Sequence, residues 1–369
     1  MEKIKVLQFP ISSSKGGITQ YALRNWKKMD KEKFHCDFAT MSKNIEFEKE
    51  LQTTGSELFY ISCYAEENRQ QFEYEFDKLL SRGYDVVHLH TKQWKSFLVE
   101  EICRRHNIPK VIVHAHATGI DNADEVKRIK EKQLHEQVKS RFSVDLATHF
   151  LACSSEAANF LFSERIPRDR IRIMHNAIEL NRFSYNKSIR NEYRGKYGLE
   201  NCFVIGHVGR FAYQKNHEFL IDIFKIISKK IDRARLLLLG DGELFAKVQR
   251  QVENLNLKDK VYFLGNTDNV ENWYQVMDVF CLPSRFEGLG MVLIEAQAAG
   301  LKCIASENVP REANITGNIT YLPLAESEWV DEIMNYSGGY LRKSSDKNIS
   351  KAGYDINEEI KVLQSIYEE

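Results

Sequence analysis

Short apolar runs alternate with longer amphipathic stretches along most of this chain of 369 residues. Apolar runs bounded by glycine, proline and polar residues are typical of buried parallel strands. Stretches with apolar residues three and four positions apart predict helices that bury one face. The predicted strands lie at 5–9, 35–39, 57–62, 85–90, 110–116, 150–153, 170–175, from 203, and at 234–239, 261–264, 279–283 and 303–304. This alternation predicts an α/β fold with parallel sheets.

The pattern divides the chain into two halves of similar construction. The first domain is predicted at 1–178, a polar linker at 179–201, a second domain at 202–352 and a separate amphipathic helix at 353–369. Two domains are also what a chain of this length leads us to expect. The stretch 325–353 has too weak a pattern for a prediction. Other helices are predicted after Gly17 and at 70–81, 94–106, 121–142, 157–162, 218–229 and 291–299.

Composition narrows the class of protein. Lysine plus arginine and aspartate plus glutamate both number 52, so the formal net charge of zero argues against a nucleic-acid partner. The seven cysteines are scattered without a Cys-x-x-Cys pair and predict buried thiols in a reducing compartment. The amino terminus is too short and polar for a signal peptide, and no apolar stretch reaches membrane-spanning length. A cytoplasmic location is therefore expected.

The stretch 279–300 organises the second half. A short apolar strand is followed by a turn from Ser284 to Gly290 and then by a helix that ends before Gly300. The start of a helix after a glycine-bearing loop offers unpaired backbone N–H groups and a positive dipole end, which together suit an anion. Glu287 lies in the loop and Glu295 lies in the helix. Either glutamate could also be a simple electrostatic partner of the helix start.

A second glycine-bearing loop follows the strand that starts at 203. Gly209, Arg210 and Lys215 lie in this loop, before the helix at 218–229. The fork of an arginine and the point charge of a lysine, with backbone N–H groups nearby, suit a diphosphate. The alternative is that both residues are ordinary surface cations.

Histidines alternate at the ends of two strands in the first half. His88 and His90 share one face of their strand, and His114 and His116 share one face of theirs. We do not expect a metal site, because no carboxylate or cysteine is spaced to complete a ligand set. Strand ends are nevertheless where ligands bind in open α/β sheets. A histidine that only caps its loop is the alternative.

The helix pattern at 121–142 combines an apolar stripe with a basic face. Val126, Ile129, Leu134, Val138 and Phe142 form the stripe. The other face carries Lys127, Arg128, Lys130, Lys132, Lys139 and Arg141, mixed with glutamates. An ordinary solvated helix is one interpretation, and a peripheral contact with an anionic membrane is the other.

The motifs together resemble one enzyme family. Ser-x-x-Glu-Gly-x-Gly-x-x-x-x-Glu-Ala after a strand ending in Leu-Pro, with a preceding Gly-Arg…Lys loop, looks like the retaining glycosyltransferases of family four. The resemblance implies the GT-B fold: two doubly wound Rossmann-like domains facing a central cleft, with the last helix crossing back to the first domain. It implies that Glu287 contacts the donor sugar, Glu295 the ribose, and Arg210 and Lys215 the pyrophosphate. Asn216 stands where the family usually has glycine.

The resemblance also implies further site residues and partners. His116, with His114 as the fallback, would contact the donor sugar. The other donor-binding residues would be Gly16, Gly17, Gly209, Gly265, Gly288, Leu289, Gly290, Met291 and Val292. The donor would be a nucleoside diphosphate sugar, with UDP expected, and no metal or cofactor is expected. The acceptor would be a glycan or lipid-linked glycan of surface polysaccharide synthesis, at the inner face of the membrane. The oligomeric state is not predicted.

Three other functions fit parts of the pattern. A glycosidase could use the two glutamates, but it would not need Arg210 and Lys215. A non-catalytic nucleotide-sugar sensor would keep the second-domain motifs without requiring His116. A nucleotide-sugar epimerase is the third alternative. The sugar, the acceptor and the linkage are not predicted.

Overall fold

The computed structural model describes residues 2–12, 17–43, 45–267 and 269–369. The chain forms two compact units. Unit 1 comprises Met1–Ile120, Val126–Ala177 and Ile356–Glu369, and unit 2 comprises Asp121–Glu125 and Ile178–Asp355. Of the predicted site residues, Gly16 lies outside the described part of the chain.

A parallel sheet of seven strands forms the centre of unit 1. The strand order is β3-β2-β1-β4-β5-β6-β7. The bounds are β1 Ile4–Ile11, β2 Phe34–Thr40, β3 Leu58–Tyr60, β4 Val86–Thr91, β5 Lys110–Ala115, β6 His149–Ala152 and β7 Ile171–Ile173. From β1 the chain adds strands first on one side, to β3, and then on the other side, from β4 onward. The loops after β1 and β4 therefore lead in opposite directions, and doubly wound sheets bind ligands in the crevice between such loops.

In the described part of unit 1, helices α1 to α6 lie between the strands of this sheet along the sequence. They are α1 Gly17–Lys28, α2 Glu48–Gln52, α3 Arg69–Leu80, α4 Leu98–Arg105, α5 Glu125–Lys139 and α6 Ser155–Leu161. Sequence-encoded caps fix some of their starts. Asn68 accepts from the backbone N–H of Gln71 at the start of α3, and Ser154 accepts from that of Ala157 at the start of α6.

Unit 2 repeats the design with a parallel sheet of six strands in the order β10-β9-β8-β11-β12-β13. Its strands are β8 Phe203–Val208, β9 Ala234–Leu239, β10 Val261–Gly265, β11 Val279–Leu282, β12 Lys302–Ser306 and β13 Ile319–Leu322. Its helices are α7 Leu180–Phe183, α8 Lys187–Lys196, α9 His217–Lys230, α10 Phe245–Asn254, α11 Val270–Val276, α12 Met291–Ala298, α13 Glu326–Asn335 and α14 Asp346–Lys351. The two Rossmann-like parallel sheets confirm the predicted fold class.

The last helix, α15 Ile356–Glu368, is part of unit 1. Its apolar face, with Ile360, Leu363 and Ile366, joins the core formed by β1, β2 and α1. Tyr367 is buried and donates or accepts three hydrogen bonds in this unit, with Gln8, His88 and the side chain of Lys110. The amphipathic pattern at the carboxyl terminus is therefore explained by packing within unit 1.

The stretch 179–201 is not a linker. It contains α7 and α8 and packs within unit 2. Arg190 and Arg194 both contact the carboxylate of Asp278, at 2.5 and 3.2 Å, and Asp278 also accepts the backbone N–H of Val204. The arginines that make α8 polar therefore form ion pairs within unit 2 and do not mark an exposed linker between domains.

Two other stretches differ from expectation. The unassigned 325–353 stretch contains α13 and α14, whose residues Trp329 and Ile349 are fully buried. The helix expected at 121–142 is shorter, and the first part of its apolar stripe faces solvent. Val126, Ile129 and Leu134 are 62%, 51% and 41% exposed. The buried residues of this helix are instead Val138 and His135. His135 Nδ1 accepts from the backbone N–H of Trp94, and its Nε2 bonds the carbonyl oxygen of Phe160.

In the part of the chain that the structure describes, none of the helices combines the length and the apolarity needed to cross a membrane.

Candidate active site

Lys215 and Glu287 form a buried ion pair in unit 2. Lys215 Nζ donates to Glu287 Oε1 at 2.6 Å, and Ser284 Oγ donates to the same oxygen at 2.6 Å. Gln214 Nε2 donates to Glu287 Oε2 at 3.2 Å. The side chains of Lys215 and Glu287 are only 14% and 6% exposed. We call Gln214, Lys215, Ser284 and Glu287 the charge cluster. Its shielding from water strengthens every charge interaction made within it.

Lys215 is held by the loop between β8 and α9. Residues Tyr213–Lys215 form a single turn of 3-10 helix, and Asn216 has φ 55° and ψ 45° before α9 begins at His217. Asparagine is among the few residues other than glycine that enter this left-handed region readily. The backbone geometry expected of a glycine is therefore kept by Asn216.

Glycines bring three turns of unit 2 close together at the carboxyl edge of the sheet. A Cβ atom on Gly240 would lie 2.2 Å from the carbonyl oxygen of Gly209, so no larger residue fits there. Gly240 N–H donates to Gly265 O at 2.8 Å. A Cβ atom on Gly209 would lie 3.1 Å from Lys215 Cδ. Gly209 therefore lies beside Lys215 of the charge cluster, and Gly265 lies beside the turn that contains Gly240.

Helix α12 begins directly after the glycine loop. Gly290 has φ 85°, and no side chain of the described residues forms a capping hydrogen bond at the start of the helix. The first N–H groups of a helix have no partner within it and carry the positive end of its dipole. Met291 and Val292 are partly exposed, whereas the Leu289 side chain is only 2% exposed. Any contact of Leu289 with a ligand would therefore come from its backbone.

Glu295 lies one turn further along α12 and is 5% exposed. Its Oε2 accepts a hydrogen bond from the hydroxyl of Tyr274 at 2.9 Å. Tyr274 is fully buried on α11. Glu287 and Glu295 therefore have different neighbours: the Lys215 ammonium bonds the first, whereas the second accepts from the Tyr274 hydroxyl and interacts electrostatically with Arg182.

Arg210 is paired with a different carboxylate from Lys215. Its guanidinium contacts Asp121 Oδ2, and Gln214 N–H donates to Asp121 Oδ1 at 3.1 Å. Asp121 belongs to the short segment Asp121–Glu125 that is part of unit 2. The Arg210 side chain is 52% exposed. Both cations expected to meet a diphosphate are thus neutralised by carboxylates in this structure.

The histidines of unit 1 form hydrogen-bonded pairs across neighbouring strands. His88 Nε2 lies 3.1 Å from His114 Nδ1, and His90 Nδ1 lies 3.0 Å from His116 Nε2. Burial lowers the pKa of His90 to about 3, and it lowers the pKa of His88, His114 and His116 well below the usual value. All four rings are therefore neutral at physiological pH. Gly17, at the start of α1, is exposed and has open space around it.

Three of these histidines meet a distance criterion for a metal site. Nitrogen atoms of His88, His90 and His114 lie within 4.8 Å of one another. However, both nitrogens of His88 and both of His90 already take part in hydrogen bonds. Nδ1 of His114 also takes part in a hydrogen bond, with His88 Nε2 at 3.1 Å. This geometry is that of a hydrogen-bond network rather than of lone pairs that converge on one ion.

The structure groups the predicted site residues unevenly. It brings Lys215 and Glu287 into contact, whereas Arg210 and Glu295 have separate partners. Sequence reasoning missed Gln214, Tyr274 and Asp121, for which no local pattern existed. Ser284 could have been found, because it lies three residues before Glu287 in the quoted motif, and its hydroxyl donates to the Glu287 carboxylate.

Family models match both halves of the chain. Residues 15–182 match the model described as Glycosyltransferase Family 4, and residues 189–320 match Glycosyl transferases group 1. With the two parallel α/β units and the motif residues at the carboxyl edge of the second sheet, these matches define the class. The chain belongs to the family 4 (group 1) glycosyltransferases and has the GT-B fold.

Full-length relatives support this membership. The chain is 29% identical to the glycosyltransferase EpsF of Bacillus subtilis, over 98% of this chain and 96% of EpsF. It is 26% identical to the capsular polysaccharide biosynthesis glycosyltransferase CapH of Staphylococcus aureus, over 99% of this chain and 98% of CapH. Among solved structures, Anabaena HepE in complex with UDP has a TM-score of 0.74 at 17% identity, covering 99% of this chain and 100% of HepE. At that identity the likeness concerns the fold.

Proposed function

We propose that this glycosyltransferase moves a sugar from a UDP-sugar to an acceptor hydroxyl with retention at the anomeric carbon. The observation that carries the proposal is the charge cluster, in which a buried lysine and glutamate meet at the carboxyl edge of a parallel sheet. Burying two charges costs several kcal/mol of desolvation each. A pair kept at a ligand-binding edge of the fold is therefore better explained by function than by stability.

The diphosphate leaving group sets the main catalytic demand. When the bond between the anomeric carbon and the phosphate oxygen breaks, negative charge develops on the diphosphate. Lys215 and Arg210, each paired with a carboxylate in this structure, and the first N–H groups of α12 are the positive groups that we assign to it. Because these groups supply the charge, we propose a reaction that does not depend on a metal ion.

The two glutamates take different parts of the donor. Glu295 offers a carboxylate to the ribose hydroxyls, as the family resemblance implies. Glu287 and His116 are assigned to the sugar, whose transfer releases UDP and leaves the acceptor oxygen bonded to the anomeric carbon. The acceptor hydroxyl gives its proton to the departing diphosphate of UDP, so the atoms balance. Gly209, Gly265 and 288–292 supply backbone contacts to the donor.

UDP is preferred over other nucleotides because HepE, which shares the fold, was solved with UDP and with UDP-glucose. A glycan of surface polysaccharide assembly is the proposed acceptor, in line with the name of CapH. A lipid-linked form of that glycan fits helix α5, where exposed apolar side chains accompany several lysines. The enzyme would then act at the inner face of the membrane.

A thermal unfolding screen with nucleotides and nucleotide sugars tests the donor assignment. A ligand that binds only the folded state raises the apparent stability. We expect UDP and at least one UDP-sugar to raise the melting temperature more than GDP or ADP and their sugars. The double variant Arg210→Ala/Lys215→Ala should lose the shift, and Lys229→Ala/Lys230→Ala, on the exposed end of α9, should keep it. The diphosphate site would be refuted if none of the nucleotides raised the melting temperature. It would also be refuted if the variant Arg210→Ala/Lys215→Ala showed the same rise as the wild type.

A further inference from the structure

Gln8, His90 and His116 form a linear hydrogen-bond chain within unit 1, which we call the Gln8 chain. Gln8 Oε1 lies 2.8 Å from His90 Nε2, and His90 Nδ1 lies 3.0 Å from His116 Nε2. Gln8 and His90 are each 2% exposed, whereas His116 is partly exposed. The Gln8 chain thus extends from Gln8 on β1, in the centre of the sheet, to His116 directly after β5.

The amide nitrogen of Gln8 shows which way the amide group is oriented. Gln8 Nε2 donates to the hydroxyl oxygen of Tyr367 at 2.9 Å. The amide oxygen is the atom that lies next to His90, at 2.8 Å, and the amide nitrogen is the atom that lies next to Tyr367.

This orientation determines where the protons lie along the chain. An amide oxygen can only accept, so His90 Nε2 carries the hydrogen. A neutral imidazole has one N–H and one lone pair, which leaves His90 Nδ1 as the acceptor. His116 Nε2 must then donate, and His116 Nδ1 keeps the lone pair. In the described part of the chain, no hydrogen bond to His116 Nδ1 is formed.

We propose that Gln8 and His90 are positioning residues, which hold His116 in its Nε2–H tautomer so that Nδ1 accepts a hydrogen bond from a hydroxyl group of the donor sugar. The inference rests on the proposed function, which assigns His116 to the donor sugar. It adds the direction of that hydrogen bond and the residues that set it. A histidine locked as an acceptor favours a sugar with a hydroxyl at this position over one that lacks it, because an unpaired lone pair is left otherwise.

The tautomer can be observed directly in the full-length protein. Two-bond proton–nitrogen spectra of nitrogen-15 histidine-labelled protein distinguish Nδ1–H from Nε2–H rings, and His116→Gln assigns the signal. We expect the Nε2–H form of His116 in the wild type and in Gln8→Glu, which keeps an acceptor for His90. Gln8→Met, of similar size, lacks that acceptor and should give a mixture. An Nδ1–H ring in the wild type overturns the proposal even if Gln8→Met does not fold.

Kinetics with a UDP-sugar provide the functional arm. Gln8→Met should lower kcat roughly two- to tenfold, as expected for one neutral hydrogen bond, and leave UDP affinity unchanged. Gln8→Glu should restore most of the rate. Asn25→Leu, which removes another buried amide of unit 1, controls for general loosening. An equal loss in Gln8→Met, Gln8→Glu and Asn25→Leu would overturn the positioning role.

The role of His116 and the role of Gln8 can be refuted separately. If His116→Gln transfers sugar at the wild-type rate while the wild-type spectrum shows the Nε2–H ring, the assignment of His116 to the sugar is wrong and the hydrogen-bond chain stands. If His116→Gln is impaired but Gln8→Met changes neither the tautomer nor kcat, the assignment stands and the positioning role is wrong.

Discussion

Lys215 Nζ lies 2.6 Å from Glu287 Oε1, although the two residues are 72 positions apart in the chain. One belongs to the loop after β8 and the other to the loop after β11, two strands that are neighbours in the sheet. The contact joins the residue expected to bind the diphosphate to the residue expected to bind the sugar. Because both charges are buried, removing either leaves the other without its partner.

The diphosphate assignment predicts the behaviour of two cations. Arg210→Ala and Lys215→Ala should each weaken binding of UDP and of the UDP-sugar about ten- to a hundredfold, because each loses a hydrogen bond to a charged group. Calorimetric titration with UDP measures this. Lys229→Ala, at an exposed position of α9, serves as the control. Wild-type affinity in both Arg210→Ala and Lys215→Ala would exclude these residues from the diphosphate site.

Substitution of Glu295 and substitution of Glu287 should affect UDP and the donor sugar differently. Glu295→Ala should weaken UDP and donor alike, roughly ten- to a hundredfold, because both ligands carry the ribose. Glu287→Ala should leave UDP affinity near the wild-type value and lower kcat, because contacts with the sugar count mainly in the transition state.

Titration with UDP and steady-state rates with the donor measure both halves of this prediction. Tyr274→Phe, which removes the hydroxyl beside Glu295 and keeps the carboxylate, should cost less than Glu295→Ala. Loss of UDP binding in Glu287→Ala, with normal binding in Glu295→Ala, would reverse the two roles.

The sequence was sufficient for the fold class and for the strand-end positions of the motifs. Buried parallel strands are continuous apolar runs, as in 234–239, and glycine marks the turns that follow them. The pairings were not predictable, because Lys215–Glu287 and Gln8–His90 depend on which strands become neighbours. The linker was misjudged because the arginines of α8 look like solvated residues until Asp278 is beside them. His114 bonds to His88, whereas His116 bonds to His90, a distinction that alternation alone does not contain.

Glu100 gives the stability a specific pH dependence. Burial raises the pKa of Glu100 to about 8, and the residue is 4% exposed on α4. Between pH 4.5 and 8 the folded state holds a proton that the unfolded state has lost. The contribution of Glu100 to stability is therefore complete below the ordinary pKa and is lost as the pH rises through the folded-state pKa, by about 1.4 kcal/mol per pH unit.

The variant Glu100→Gln should remove this dependence. The free energy of unfolding of Glu100→Gln, relative to that of the wild type, should increase as the pH rises from 5 to 8. Urea denaturation at each pH measures the difference. Other titrating groups are shared by both proteins and cancel. Glu101→Gln changes a neighbouring side chain that is 45% exposed and should show no such trend. A constant difference for Glu100→Gln across this range would contradict the burial of an acidic proton at this site.

Helix α5 should bind anionic vesicles weakly and reversibly. Its exposed Val126, Ile129 and Leu134 can enter the interface, and each lysine near an anionic surface contributes on the order of 1 kcal/mol. Sedimentation with vesicles rich in anionic lipid should show binding that salt weakens. Ile129→Ser and Lys130→Ser/Lys132→Ser should each reduce it, and Lys229→Ser/Lys230→Ser should not. Absence of salt-dependent binding would leave α5 as an ordinary surface helix.

Turnover of UDP-sugars is the most direct test of the central claim. The purified protein would be incubated with a panel of UDP-sugars and lipid-linked glycan acceptors, with and without EDTA, and UDP release and the anomeric configuration of the product would be followed by NMR. We expect UDP release that depends on the acceptor, a product with the configuration of the donor, and an unchanged rate in EDTA. Inversion, or a rate that EDTA abolishes and magnesium restores, would contradict the proposed mechanism. Tight binding of the donor without turnover on any acceptor would contradict the claim of transfer and favour a nucleotide-sugar sensor.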